Sequence, residues 1–337
     1  MVLSHTPWHG KGAYTNWEES VRFLKDCGIN MLCVNFCRGL YAAYGSKVLK
    51  PWPGMDEKGD ALELCKAACL KYGISMAAWR CCWITPDWLA QKGDLDAMKV
   101  EKRIAVARSG KDSRGFACPT HPENIRTEVE AIVELASKGV DWVVLDFIRY
   151  RTYDTCFCRR CRDIFEKTIG RKVDDWPKAV CNGGELAAQW TDFRARNISH
   201  MVKEAGERIH SDFSGVKLLV CGFSDPNQAR VRVGQDWPLW CREGWIDGVL
   251  PMNYGSDTVL FGATVRKQKA LDMGKATLYP LIGPSCWLYN GDDAFRVVKH
   301  IQTLRAAGCK GWGLFNLDER TEQICKILAT GPTRPCR

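Results

Sequence analysis

The chain has 337 residues, 46% of them hydrophobic and 26% charged, an ordinary globular mixture that leaves no place for long disorder. Forty-eight basic residues against 39 acidic ones give +9, which favours acidic partners without implying nucleic acid. No apolar run reaches the roughly 18 residues of a membrane span, and residues 1–30 lack the basic start and unbroken apolar block of a secretion signal. Eighteen cysteines are present, and Cys33, Cys37, Cys81, Cys82 and Cys221 sit inside apolar runs. There they act as small core residues rather than a disulfide framework, so the expected setting is reducing and cytoplasmic.

In chain order, short runs rich in Val, Leu and Ile alternate with stretches of helical spacing, the pattern of repeated βα units around a buried parallel sheet. Strands are predicted at 2–5, 30–36, 75–81, 142–149, 216–223, 246–253, 276–282 and 311–316. Helices follow at 16–27, 60–72, 124–137, 192–209, 237–243, 258–273, 292–307 and 320–330. Gly28, Gly73, Gly139, Gly274 and Gly308 stand where left-handed helix caps are needed. Eight such units predict an α/β fold, a (β/α)8 TIM barrel. No Pro/Gly/Ser linker divides it, so residues 1–331 are read as one domain and 332–337 as a tail. Two βα connections are oversized, about 83–122 after strand 3 and about 150–189 after strand 4. Both fall at the C-terminal ends of the strands, where barrels of this class carry their active sites.

Dinucleotide, phosphate-loop, nucleophile-elbow and zinc-helix signatures are absent. The sharpest feature is VDWVVLDFIRYR, an apolar strand that carries Asp146 near its end and Arg149 three residues later. A carboxylate there is costly unless paired or used. Asp146 is therefore a candidate nucleophile or base, with a structural ion pair as the alternative. Glycoside hydrolysis needs a second carboxyl group. Asp236 in GQDWPLW and Asp225 in GFSDP follow strand 5; Asp236 also suits a helix N-cap, and Asp318 or Glu319 follows strand 8. Fourteen Trp is a high count, and Trp8, Trp79, Trp83 and Trp287 fall at or after strand ends, where flat aromatic faces suit sugar rings. Trp79, Arg80, Arg149, Asn253, Tyr254 and Asn316 are the expected substrate-binding groups.

After strand 4 comes CFCRRC. Cys156, Cys158 and Cys161, with Cys118 from the other long loop, would make a closed tetrahedral zinc site. His121 is an alternative fourth ligand, and a reduced Cys-rich loop or disulfides are the alternatives to metal. Residues 149–172 hold eight Lys or Arg against three acids, which would attract sulfated, phosphorylated or carboxylated substrates if the patch is more than a solvated face.

Three segments, CPTHPENIRTEVEAIVELASKGVDWVVLDFIRYR, CFCRRCRDIF and GQDWPLWCREGWIDGVLPMNY, resemble the glycosyl-hydrolase-like family 10 barrels, including their strand-4 DYIRYP pattern. YGSKVLKPWPGMDEKGDALELCKAACLKYGISMAAW is similar too. The resemblance implies a barrel glycosidase in which Asp146, and after it Asp236, carry catalysis. CPTHP together with CFCRRC also resembles the zinc-binding cysteines of family-42 β-galactosidases, which implies that Cys118, Cys156, Cys158 and Cys161 act together. Leu145-Asp146-Phe147 replaces the Asn-Glu pair of those enzymes, so β-galactosidase activity does not follow. The expectation is a glycosidase with paired carboxylates, with an anionic glycan as the candidate substrate; the alternatives are a carbohydrate-binding barrel without catalysis and a barrel that binds nucleic acid through its basic loops.

Overall fold

The computed structural model describes residues 1–5, 7, 16–288 and 291–333. Trp8 and residues 334–337 of the expected tail lie outside the described residues. Thr333 packs back onto the barrel, its Oγ1 donating to the Cys27 carbonyl at 2.6 Å.

Eight parallel strands close on themselves: β1 (Val2–Ser4), β2 (Met31–Arg38), β3 (Ser75–Cys81), β4 (Trp142–Asp146), β5 (Lys217–Phe223), β6 (Gly248–Asn253), β7 in two pieces (Thr277–Leu278 and Leu281–Ile282) and β8 (Gly313–Leu314). Val2 of β1 pairs with both Leu32 of β2 and Leu314 of β8, which completes the (β/α)8 ring. Eight main helices follow the strands: α1 (Trp17–Asp26), α2 (Ala61–Tyr72), α3 (Pro122–Ala136), α4 (Ala187–Asp212), α5 (Trp237–Arg242), α6 (Thr258–Lys269), α7 (Asp293–Ala306) and α8 (Glu319–Leu328). Asn16, Asp60, Asp257 and Asp318 cap four of them by accepting first-turn backbone N–H bonds. All five predicted cap glycines have positive φ. No helix among the described residues is long and apolar enough to cross a membrane, and the seventeen described cysteines are all unpaired.

Leu3, Cys33, Ala77, Trp79, Cys81, Val144, Leu219, Cys221, Leu250 and Leu281 fill the ring, and a larger apolar layer lies between strands and helices. The connection after β3 holds the helix Asp94–Val100 and a hairpin of Ile104–Val106 with Asp112–Ala117; the one after β4 holds the helix Arg159–Ile169. A further excursion after β2, with short strands Tyr41–Ala42 and Lys50–Pro51, is not foreshadowed by the pattern. Strand β4 stops at Asp146 instead of running to 149 because Phe147 turns left-handed, with φ 54°.

Alternation along β3 aims Trp79 inward and Arg80 outward, which corrects the expectation that Arg80 holds substrate. Arg80 is 0% exposed. Its Nε donates to Glu128 of α3 at 2.8 Å, and its Nη2 donates to the Gly39 carbonyl at 3.1 Å. The second Glu128 oxygen accepts the Trp83 N–H at 2.9 Å. Gly39 is required there: a Cβ would stand 2.1 Å from Thr85 Oγ1. Asn253 is corrected in the same way, since it points toward α6 and exchanges two hydrogen bonds with Gln268 at 3.0 and 2.9 Å. Breaking one side of a buried ion pair strands the other charge. Glu128→Gln is therefore expected to lower the unfolding free energy by about 3–5 kcal/mol, and adding Arg80→Met to recover part of the loss; denaturant unfolding of the two variants checks this.

Candidate active site

The strand register lays Arg38, Cys81 and Asp146 side by side across the C-terminal ends of β2, β3 and β4. Asp146 is only 9% exposed. The left-handed turn at Phe147 folds that residue's N–H back onto Asp146 Oδ1 at 2.6 Å. The indole N–H of Trp79, which closes no ordinary hydrogen bond, lies near enough to the same carboxyl to favour its charge, as do Arg149 and Arg38. Burial outweighs them all and holds the Asp146 carboxyl above the usual carboxylate range.

Aromatic side chains wall this carboxyl. The His5 ring packs 4.5 Å from Trp79 and 5.0 Å from Phe315, and Tyr254 stacks on Phe315 at 4.9 Å. Burial pushes the Tyr254 phenol well above its usual value. Tyr254 is held from behind: a Cβ on Gly283 would lie 2.5 Å from its ring, and its carbonyl accepts Trp287 Nε1 at 2.8 Å. Arg38 donates from Nε and Nη2 to Asn35 Oδ1 at 3.3 and 3.2 Å, and the Asn35 amide donates to the Trp79 carbonyl at 3.0 Å. Asn316 follows β8, its N–H on Ser285 Oγ at 2.9 Å and its buried Oδ1 without a partner.

Arg149 bridges from this wall to a cleft of about 420 Å³ lined by Arg149, Arg151, Phe223, Asp225 and Arg232. Its guanidinium lies 4.7 Å from the Phe147 ring and 5.2 Å from Phe223. Desolvation lowers its pKa. Beneath the cleft, buried Arg194 donates to the Thr152 and Arg232 carbonyls at 2.8 and 3.2 Å, fixing the backbone that carries the outer arginines.

The expected site residues thus divide. Trp79, Asp146, Arg149 and Tyr254 are brought together. Asp225 shares the Arg149 cleft, while its Oδ1 caps the helix Pro226–Val233 through Gln228 N at 3.1 Å. Asp236 gives Oδ2 to Arg230 at 2.9 Å, and Arg230 also holds Asp192 at 2.7 Å. His5, Asn35, Arg38 and Phe315 were missed, although Asn35 in MLCVNFC is the same signal as Asp146, a polar residue inside an apolar strand.

The four thiols of Cys118, Cys156, Cys158 and Cys161 lie within 4.8 Å of one another. Cys118 Sγ is 3.7 Å from both Cys158 and Cys161, too far for disulfides, whose S–S length is about 2.05 Å. Backbone N–H groups of Val106 and Cys161 point at the sulfurs of Cys156 and Cys158 at 3.3 and 3.5 Å. Cys158 also caps the helix Arg159–Ile169, whose positive end favours a thiolate. The cluster could hold a metal, and His121 is not part of it.

A family model described as glycosyl hydrolase-like 10 matches residues 7–278. The chain belongs to this family. No curated protein is similar enough in sequence to match. Among solved structures, this member of the glycosyl hydrolase-like 10 family is similar to the glycoside hydrolase domain of PgaB (BpsB) from Bordetella bronchiseptica, with a TM-score of 0.68 at 13% identity over 93% of this chain and 92% of that one. The catalytic domain of a Paenibacillus polymyxa β-amylase gives 0.61 at 11% identity, covering 94% and 91%. Gan42B, a GH42 β-galactosidase from G. stearothermophilus, gives 0.64 at 11%, covering 97% of this chain and 57% of that one. At these identities the likeness establishes the barrel, and the family match supplies the glycosyl-hydrolase-like assignment.

A carboxyl whose folded pKa is raised contributes stability below its unfolded value and loses it as pH climbs through the folded one. Asp146→Asn, which keeps Oδ1 and removes the charge, is therefore expected to melt at a higher temperature than the wild type at pH 7, with the difference vanishing near pH 3; thermal melts across pH read it directly.

Proposed function

We propose that the protein is a glycoside hydrolase in which Asp146 delivers the proton to the leaving glycosidic oxygen. The observation that carries this reading is the raised, walled-in carboxyl at the catalytic end of a barrel from a glycosyl-hydrolase-like family. A buried carboxyl held above the usual carboxylate range gives up its proton less readily than one in water, the direction an acid catalyst needs, which favours an acid over the nucleophile or base expected from sequence. Asp225 is the better-placed second carboxylate, because it faces the Arg149 cleft and commits one oxygen to its helix cap. Asp236 is occupied by Arg230. Arg149, Arg151 and Arg232 line one cleft with a single acid among them, which supports a substrate carrying carboxylate or sulfate groups.

The test is product release from a panel of natural glycans and aryl glycosides. Asp146→Asn is expected to lower kcat by about 10²–10⁴-fold while still binding substrate. Wild-type activity is expected to fall on the alkaline side as Asp146 loses its proton. Hydrolysis surviving in the variant would move the chemistry to other carboxylates. The structural duties of Asp225 and Asp236 favour one second reading, a barrel that binds carbohydrate without cleaving it; glycan binding with no turnover by the wild type would select it.

We also propose that the four thiols hold a structural zinc ion. Their 3.7 Å spacings match the edge of about 3.8 Å of a tetrahedron with Zn–S near 2.3 Å. Zinc there would tie the hairpin of the first long loop to the helix of the second. Protein purified without added metal is expected to carry about one zinc, and Cys158→Ser to lower thermal stability more than kcat. Metal analysis and melting of the variant check both.

A further inference from the structure

Resting on the glycosidase reading, we infer that the substrate is an acidic glycan chain of several sugars lying across the mouth, with Trp88 as the platform for a sugar remote from the cleavage point. Trp88 is 69% exposed, unlike the other aromatic rings around it. Single exposed apolar residues are common, but this one is anchored toward the site. Its ring stands 6.0 Å from that of buried Trp52, and the Arg38 guanidinium lies 5.6 Å from its centre. Arg38 is the residue whose register neighbour is Cys81 and whose charge acts on Asp146. An aromatic face is therefore fixed in solvent and joined to the reacting carboxyl through one side chain. Aromatic faces accept the C–H side of a sugar ring, and the adjoining guanidinium can donate to its hydroxyls.

The position of Trp88 relative to the arginine cleft argues for more than one sugar. Trp88 and Arg38 lie on the β2–β3 side of Asp146, whereas Arg149, Phe223, Asp225 and Arg232 lie on the β4–β5 side. One sugar can occupy only one side. A chain with acidic groups over the arginines and a neutral ring face on Trp88 uses both.

The folded Asp146→Asn protein, titrated by calorimetry with oligogalacturonate and with chondroitin sulfate fragments of two, four and six sugars, tests this. Affinity is expected to rise with length for the charge type preferred, carboxylate or sulfate. Trp88→Ala in the same background is expected to lower hexasaccharide affinity about tenfold and leave the disaccharide unchanged, with Trp88→Phe restoring most of the loss. Length-independent affinity, or equal loss at both lengths, overturns the platform. Wild-type hydrolysis of neutral glycans alone would overturn the acidic chain and leave the glycosidase reading standing, whereas absence of binding and hydrolysis for every glycan would remove both.

Discussion

Closing eight parallel strands leaves the barrel ring without edges and buries both of its faces, and that constraint governs where polar groups can stand. Inside the ring there is room only for side chains that fill it, here Leu3, Trp79, Leu219, Leu250 and small thiols. On the outside the helices seal the surface, so Arg80 and Asn253 persist only because Glu128 and Gln268 meet them. Among the described residues, the buried polar groups that face inward stand at the C-terminal rim. Asn35 and Asp146 stand there, with Arg38 and Arg149 supplying charge from the strand ends and the turn beyond.

At Asp146 two opposing effects meet. The Phe147 N–H, two guanidinium groups and the Trp79 indole favour the anion, and burial opposes it more strongly. A carboxyl so balanced holds its proton more tightly than one in water, yet sits among groups that favour its anion. The left-handed Phe147 belongs to this arrangement: its backbone is strained, and the same turn directs its N–H to Oδ1 while placing its ring beneath Arg149.

The connections after β4 and β5 build the outer cleft. Each is pinned to something rigid. The thiol cluster joins Cys118 near α3 to Cys156, Cys158 and Cys161 of the loop after β4, and Arg194 from α4 secures the carbonyls of Thr152 and Arg232. Arginines that line a cleft repel one another, so holding Arg149, Arg151 and Arg232 together needs a backbone that cannot relax away.

The barrel was legible because eight apolar runs, five cap glycines and two oversized loops recur in the right order along the chain. The thiol set was legible because CFCRRC is local and Cys118 sits on the neighbouring loop. What the sequence hid was strand phase. In a parallel sheet buried on both faces, polar and apolar residues do not alternate, so SMAAWRC reads equally well with Trp79 or Arg80 inward. Arg80 was misassigned for that reason, and Asn253 likewise. The carboxyl Asp146 escaped the ambiguity because a helix-facing acid needs a cation in the overlying helix, as Arg80 needs Glu128, whereas an acid at the rim can be served by the turn that follows it. Trp88 was hidden for a different reason: its value lies in standing beside Arg38, fifty residues earlier in the chain, and only the pairing of β2 with β3 brings the two together.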